Sequence, residues 1–103
     1  MSRLEITARA QGDLDDIYVF VARREQSHGP AEKWIQRMLS ECEAIAASPG
    51  IGVGRDSLRP GLRSVPFGSY SIFYVYDPQN RVTSIVRVIH GARDLPAQFR
   101  AGG

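Results

Sequence analysis

Residues 63–94 (RSVPFGSYSIFYVYDPQNRVTSIVRVIHGARD) constrain the fold of this chain more than any other stretch. Residues 70–76 are almost wholly aromatic or β-branched, and such side chains suit a pleated strand and lose rotamer freedom in a helix. Turn-forming residues follow at positions 77–80, and a second turn signal lies at positions 66–69. With a further apolar run at residues 82–90, the pattern predicts a three-stranded antiparallel meander.

Neither face of this predicted sheet is polar. Because strand side chains alternate between faces, one face of the middle strand carries Tyr70, Ile72, Tyr74 and Tyr76, and the other carries Ser71, Phe73 and Val75. In the next strand the alternation predicts Val82, Val86 and Val88 on one side and Ile85, Arg87 and Ile89 on the other. A sheet solvated on one face normally shows polar residues there. We therefore expect both faces to be covered.

The first half of the chain predicts a short strand and two helices. Leu4 and Ile6 alternate in residues 3–7, Thr7 is a suitable N-cap, and helical spacing of apolar residues extends over 8–25. After a break at residues 27–30, a second apolar stripe of helical period runs to residue 47. Val19 and Phe20 lie off the stripe of the first helix, which indicates either a second contact or tolerated exposure.

These elements predict an α+β fold in which an N-terminal strand and an antiparallel helical hairpin pack on the C-terminal three-stranded antiparallel meander. Residues 1–99 form one domain in this interpretation, and residues 100–103 form a flexible tail. One hairpin covers one sheet face. We expect the other face to have no cover within the chain and to bind a partner. Sequence alone does not say which face the helices take, and Tyr74 and Tyr76 are candidate contacts if their face is the uncovered one.

Composition narrows the classes of function. No apolar run approaches the roughly 20 residues of a membrane span, no secretory signal is visible, and the single cysteine, Cys42, lies in the second helical stripe as a small buried hydrophobe. We expect a cytoplasmic protein without metal or organic cofactor, since no ligand cluster is present. Residues 1–47 hold six basic and eight acidic side chains, and residues 48–103 hold seven and three. The sheet half should attract an acidic partner, whereas the net charge of +2 argues against specific DNA binding alone.

The order of elements, the segment Arg63-Ser64-Val65-Pro66-Phe67 and above all Arg87-Val88-Ile89-His90-Gly91-Ala92-Arg93-Asp94 resemble the ParE branch of the RelE/ParE toxin superfamily. The resemblance covers residues 4–99. It implies the toxin of a type II toxin–antitoxin system, which inhibits DNA gyrase and forms a hetero-oligomer with a ParD-like antitoxin whose C-terminal segment wraps the toxin. The antitoxin would contact Val19, Phe20, Tyr74, Tyr76 and Arg87, and the target would contact His90, Arg93 and Asp94.

The RelE branch, whose members are ribosome-dependent mRNA endoribonucleases, is the alternative. Attack by a ribose 2′-hydroxyl needs a base, an acid and cations around the phosphate. Arg63, Arg87 and His90 are the candidates here, and no cofactor would be needed. The sheet half lacks Lys, which such nucleases use, so a protein toxin that is not an enzyme is the preferred interpretation.

Two of these residues also have structural explanations. Arg87 lies among apolar residues, and a cation in that position pairs either with a carboxylate such as Asp13 or Asp16 or with a partner. We expect Arg87→Ala to weaken binding of the target or the antitoxin more than it weakens folding, and unfolding would instead assign Arg87 to an internal ion pair. His90, beside Gly91, could equally hold a turn.

Overall fold

The computed structural model describes residues 1–91 and 95–99. Its elements are β1 (Arg3–Ile6), α1 (Ala8–Glu25), α2 (Gly29–Ala47), a 3₁₀ turn (Pro49–Ile51), β2 (Val53–Gly54), β3 (Arg63–Phe67), β4 (Tyr70–Asp77), β5 (Val82–His90) and α3 (Leu95–Phe99). They form a mixed sheet of order β1-β5-β4-β3-β2, in which β1 runs parallel to β5 and the other neighbours are antiparallel. The predicted α+β fold and the β3-β4-β5 meander are confirmed.

Local signals fix the ends of the two long helices. The Thr7 hydroxyl accepts a hydrogen bond from the Ala10 N–H at 3.2 Å, as expected for an N-cap. Gln26 ends α1 in the left-handed conformation with a φ of 53°, where its N–H donates to the Ala22 and Arg23 carbonyls. Pro30 lies in the first turn of α2, where its missing N–H removes no helical hydrogen bond.

The first core lies between the helical hairpin and one face of the sheet. It consists of buried residues from both helices and from β4 and β5: Ala10, Leu14, Ile17, Met38, Cys42, Ile45, Ile72, Tyr74, Ile85 and Val88. Tyr70 packs against this cluster, so the face that carries Tyr70, Ile72 and Tyr74 is the one that the helices cover. Sequence alone had left this choice of face open.

The second face of the sheet also has cover within the chain. Its core consists of Leu62, Phe73, Val86, Ile89 and Phe99, with Leu58, Val75 and Leu95 packed around them. The Phe99 ring of α3 meets the Phe73 ring edge-on, with centroids 5.0 Å apart. The expectation that this face is left bare was wrong, because α3 and the loop before β3 were not recognised as core elements.

A β-bulge shifts the register of β5. Phe73 pairs with Arg87 and Tyr74 pairs with Ile85, so that Val86 is an extra residue. As a result Val88 joins Ile85 in the first core, while Val86 lies in the second. The predicted placement of Val86 and Val88 on one face was therefore wrong, since strict alternation does not reveal an inserted residue.

No helix within residues 1–91 and 95–99 is both long and apolar enough to span a membrane.

Candidate functional site

A groove of about 600 Å³ separates α1 from the ends of β4 and β5 nearest the β3–β4 turn. Its apolar lining comes from α1, α2 and the sheet: Ile17, Phe20, Val21, Trp34, Tyr70, Val88 and Ile89. Phe20 is 56 % exposed although it is a large aromatic residue. The groove therefore presents apolar surface to solvent at a concave site, which is the usual form of a binding site.

Helical spacing places the α1 residues along one wall. Ile17, Phe20, Val21 and Arg24 follow steps of three and four, so they share one side of the helix. Ile17 points deepest and is buried, whereas Phe20 and Arg24 lie at the exposed rim. The same α1 that fills the first core with Leu14 and Ile17 thus also builds the groove.

Aromatic rings form the opposite wall. The Trp34 ring of α2 meets the Phe67 and Tyr70 rings edge-on, each at a centroid distance of 5.4 Å. The His90 ring packs edge-on against Tyr70 at 5.3 Å. Such edge-to-face pairs hold the rings in fixed orientations. The tight β3–β4 turn, with Gly68 at a φ of 57°, brings Phe67 and Tyr70 opposite each other as a cross-strand pair.

An ion pair borders the groove. Arg87 donates from Nε to Asp13 Oδ2 at 2.8 Å and from Nη2 to Asp13 Oδ1 at 3.1 Å. Asp13 Oδ2 also accepts the Val88 backbone N–H at 2.9 Å. The Arg87 side chain is 4 % exposed and that of Asp13 is 14 % exposed.

Further contacts tie Arg87 to the C-terminal helix. Its Nη1 donates to the Gln98 carbonyl at 3.3 Å and its Nη2 to Gln98 Oε1 at 3.4 Å. Each of the three guanidinium nitrogens thus donates to an acceptor inside the chain. Of the two explanations that sequence left open for Arg87, the pairing with Asp13 is the one that the structure contains.

Three of the sequence-predicted site residues meet at this groove. Phe20, Arg87 and His90 all line it. Val19 is 44 % exposed but does not line the groove, because one residue along a helix turns the side chain by about 100°. Arg93 and Asp94 lie outside the described residues.

Tyr74 and Tyr76 lie elsewhere. Tyr74 is fully buried, and its hydroxyl donates to the Pro49 carbonyl at 2.6 Å and accepts the Gly52 N–H at 2.9 Å. A partner could reach this ring only by opening the first core. Tyr76 is 37 % exposed and lies six residues further along β4 than Tyr70, away from the groove.

The three nuclease candidates are not gathered at one place. Arg63 lies opposite Tyr74 and His90 lies opposite Tyr70, with β4 between their strands. Their backbones are therefore separated by about 13 Å along the strands and about 9.5 Å across them. Arg63 donates to the Gly52 carbonyl at 2.7 Å, and the Arg87 charge is paired with Asp13. This arrangement does not form a phosphate clamp around His90.

Sequence reasoning missed Trp34 and Tyr70 as groove residues. Trp34 occupies a core position in the α2 stripe, and Tyr70 occupies a helix-facing position in β4, so both patterns indicate core. The only available signal was the cluster of large aromatic residues around the Gly68 turn. Cys42, by contrast, is buried as predicted. Burial, reinforced by the charges of Glu41 and Glu43, raises the pKa of its thiol to about 11.

The comparisons with known proteins agree with this architecture. Residues 4–95 match the family model described as the ParE toxin of the type II toxin–antitoxin system parDE. The chain is 31 % identical to Toxin ParE1 of Caulobacter vibrioides over 99 residues, which is 96 % of this chain and 99 % of that protein. It is 30 % identical to Toxin ParE1 of Mycobacterium tuberculosis over 94 residues, covering 91 % and 94 % of the two chains.

A solved structure shares the fold. The chain superposes on a chain of the chromosomal ParDE toxin–antitoxin system from P. aeruginosa with a TM-score of 0.73. The two are 24 % identical in sequence, and the match covers 87 % of this chain and 96 % of the other. From the family model and the two relatives together, this chain belongs to the ParE toxin family of the RelE/ParE superfamily.

Proposed function

We propose that this chain is a growth-arresting toxin that inhibits DNA gyrase, and that a ParD-like antitoxin neutralises it by seating an apolar helix in the groove between α1 and the sheet. Binding of an antitoxin helix is supported by the solvent-facing Phe20, which lies at the rim of a concave surface lined by Trp34 and Tyr70. An exposed apolar groove is the form that helix-binding proteins use. The structural relative from P. aeruginosa was solved as a ParDE system, which supports a partner of this kind.

The proposal that the chain inhibits DNA gyrase rests on its membership of the ParE toxin family. A supercoiling assay with purified gyrase and the purified chain tests it, with and without the protein encoded beside this chain. We expect supercoiling to fall and linear DNA to accumulate as the chain is added, and we expect the neighbouring protein to reverse both effects. Undiminished supercoiling at saturating protein would refute gyrase as the target and would direct attention to mRNA cleavage on translating ribosomes.

Two neighbouring substitutions test the groove in the same assay. Phe20→Asp places a charge at the groove rim, whereas Val19→Asp places one at a comparably exposed position outside the groove. We expect both variants to fold, because both side chains are exposed. The neighbouring protein should protect gyrase from the Val19 variant and fail to protect it from the Phe20 variant. Equal protection from both would show that the antitoxin binds elsewhere.

A further inference from the structure

Two exposed, opposite charges flank the apolar residues of the α1 wall of the groove. Asp16 and Arg24 both line it and both are exposed. They are eight residues apart on one helix, which corresponds to about 12 Å along its axis. Between them lie the apolar contacts of Phe20 and Val21.

These two charges are available to a partner, unlike the other ionic residues nearby. Asp13 and Arg87 already neutralise each other. Among residues 1–91 and 95–99, the ion pairs are that one and the pair of Arg3 with Glu5, so neither Asp16 nor Arg24 belongs to one. An occupant of the groove would thus meet, on either side of the apolar residues, a negative charge at Asp16 and a positive charge at Arg24 that have no ion-pair partner among residues 1–91 and 95–99.

The spacing of the apolar residues favours a helix as the occupant. Ile17, Phe20 and Val21 form a ridge of three- and four-residue steps, against which the ridges of a second helix can pack. On such a helix, residues seven apart lie on the same side and about 10.5 Å apart. That distance nearly matches the separation of Asp16 and Arg24.

We propose that the groove selects an amphipathic helix that carries one basic and one acidic residue about seven positions apart along the border of its apolar face. The basic residue would pair with Asp16 and the acidic residue with Arg24. This proposal rests on the proposed function, since it specifies which antitoxin helix the groove accepts. Charges at the rim of an interface act on specificity more than on affinity, because a like-charged partner is repelled.

Three synthetic peptides test this selection against the full-length chain. Each is a 21-residue amphipathic helix with the same leucines at helical spacing and no aromatic residue. They differ only at two border positions seven residues apart, which carry Lys and Glu, Glu and Glu, or Lys and Lys. Trp34 is the single tryptophan of the sequence and lines the groove, so its fluorescence reports binding.

For the unmodified chain we expect the Lys–Glu peptide to bind about fivefold more tightly than either uniform peptide, with the difference shrinking at high salt. Asp16→Arg makes both ends positive and should shift the preference to the Glu–Glu peptide. Arg24→Glu makes both ends negative and should shift it to the Lys–Lys peptide. The double variant exchanges the charges and should again prefer the Lys–Glu peptide, bound in the reverse direction.

Binding of all three peptides with equal affinity would overturn the charge selection while leaving the groove as a helix site. Binding of none would overturn the proposal as well. Neither result bears on gyrase inhibition or on protection by the neighbouring protein, which the supercoiling assay measures separately. A preference that does not change with Asp16→Arg or Arg24→Glu would likewise contradict the assignment of these two residues.

Discussion

The Tyr74 hydroxyl holds the connection between α2 and β2. It bonds to both Pro49 and Gly52, although it belongs to a strand more than twenty residues away. Gly52 is required there, since a Cβ at that position would lie 2.5 Å from the hydroxyl oxygen. A residue that sequence suggested as a partner contact thus has a structural role.

Tyr74→Phe should therefore destabilise the fold. The substitution leaves the Gly52 N–H and the Pro49 carbonyl without this partner in a buried setting, and we expect a loss of about 1–3 kcal/mol in the free energy of unfolding. Urea denaturation measures it. Tyr76→Phe is the matched control, because that ring is partly exposed and should change stability by less than about 0.5 kcal/mol. Similar losses in both variants would contradict the role given to the Tyr74 hydroxyl.

The buried ion pair of Asp13 and Arg87 should also stabilise the fold. Removal of either partner leaves the other charge buried, which typically costs about 3–5 kcal/mol. Arg87→Ala and Asp13→Ala should each lower the melting temperature sharply. Asp16→Ala, one turn further along α1 and exposed, should leave it nearly unchanged. A stable Arg87→Ala variant with impaired partner binding would instead restore Arg87 as a contact residue.

Among the elements, the β4–β5 turn depends on one carboxylate. Asp77 Oδ2 accepts from the Asn80 side-chain amide at 2.8 Å, and Oδ1 accepts the backbone N–H groups of Asn80 and Gln79. The hydrogen bond from the Asn80 side chain, followed by the backbone bonds, lowers the pKa of Asp77 below its ordinary value. The ionised form is thus the one that stabilises the turn.

Stability should therefore depend on pH through Asp77. A carboxyl whose pKa is lower in the folded state stabilises the fold above the unfolded pKa of about 3.9 and loses that contribution as the pH falls through the folded value. Asp77→Ala should accordingly be less stable than the unmodified chain at pH 6, and the difference in the free energy of unfolding should shrink as the pH falls below the unfolded pKa. Chemical denaturation at a series of pH values measures it. A difference that is constant with pH would mean that the charge of Asp77 is not involved.

The long elements were predictable from sequence, and the short ones were not. Apolar periodicity over 18 or 19 residues defines α1 and α2, and the β-branched and aromatic content of residues 70–76 defines β4. β2 has two residues and α3 has five, too few for a period to show. The bulge at Val86 leaves no mark in composition. As a result the cover of the second face could not be derived, and for Arg87 the sequence offered Asp13 only as one of several possible partners and gave no sign of Gln98.

Across the whole molecule, several of the arginines that make residues 48–103 basic form contacts within the fold. Arg55 donates from Nε to the Ser64 hydroxyl at 2.9 Å, Arg63 binds the Gly52 carbonyl, and Arg87 pairs with Asp13. A count of charges from sequence treats all of these as available to an acidic partner. Of these three contacts only the pairing with Asp13 neutralises a positive charge, because hydrogen bonds to the neutral oxygens of Ser64 and Gly52 leave Arg55 and Arg63 charged.

The parallel pairing of β1 with β5 joins the two ends of the chain, since Arg3 lies beside Val82 and Ile6 beside Ile85. Asp13 likewise bonds to Arg87 and Val88, which lie more than seventy residues later in the chain. Contacts of such long sequence separation form late, because nearly the whole chain must be available first. During synthesis, a ribosome that has made only α1 and α2 has not yet made β4 and β5, which carry Tyr70 and the other sheet residues of the groove. The groove is complete only once β5 has been made, so a partner that recognises the groove can bind only after the chain has been synthesised through His90.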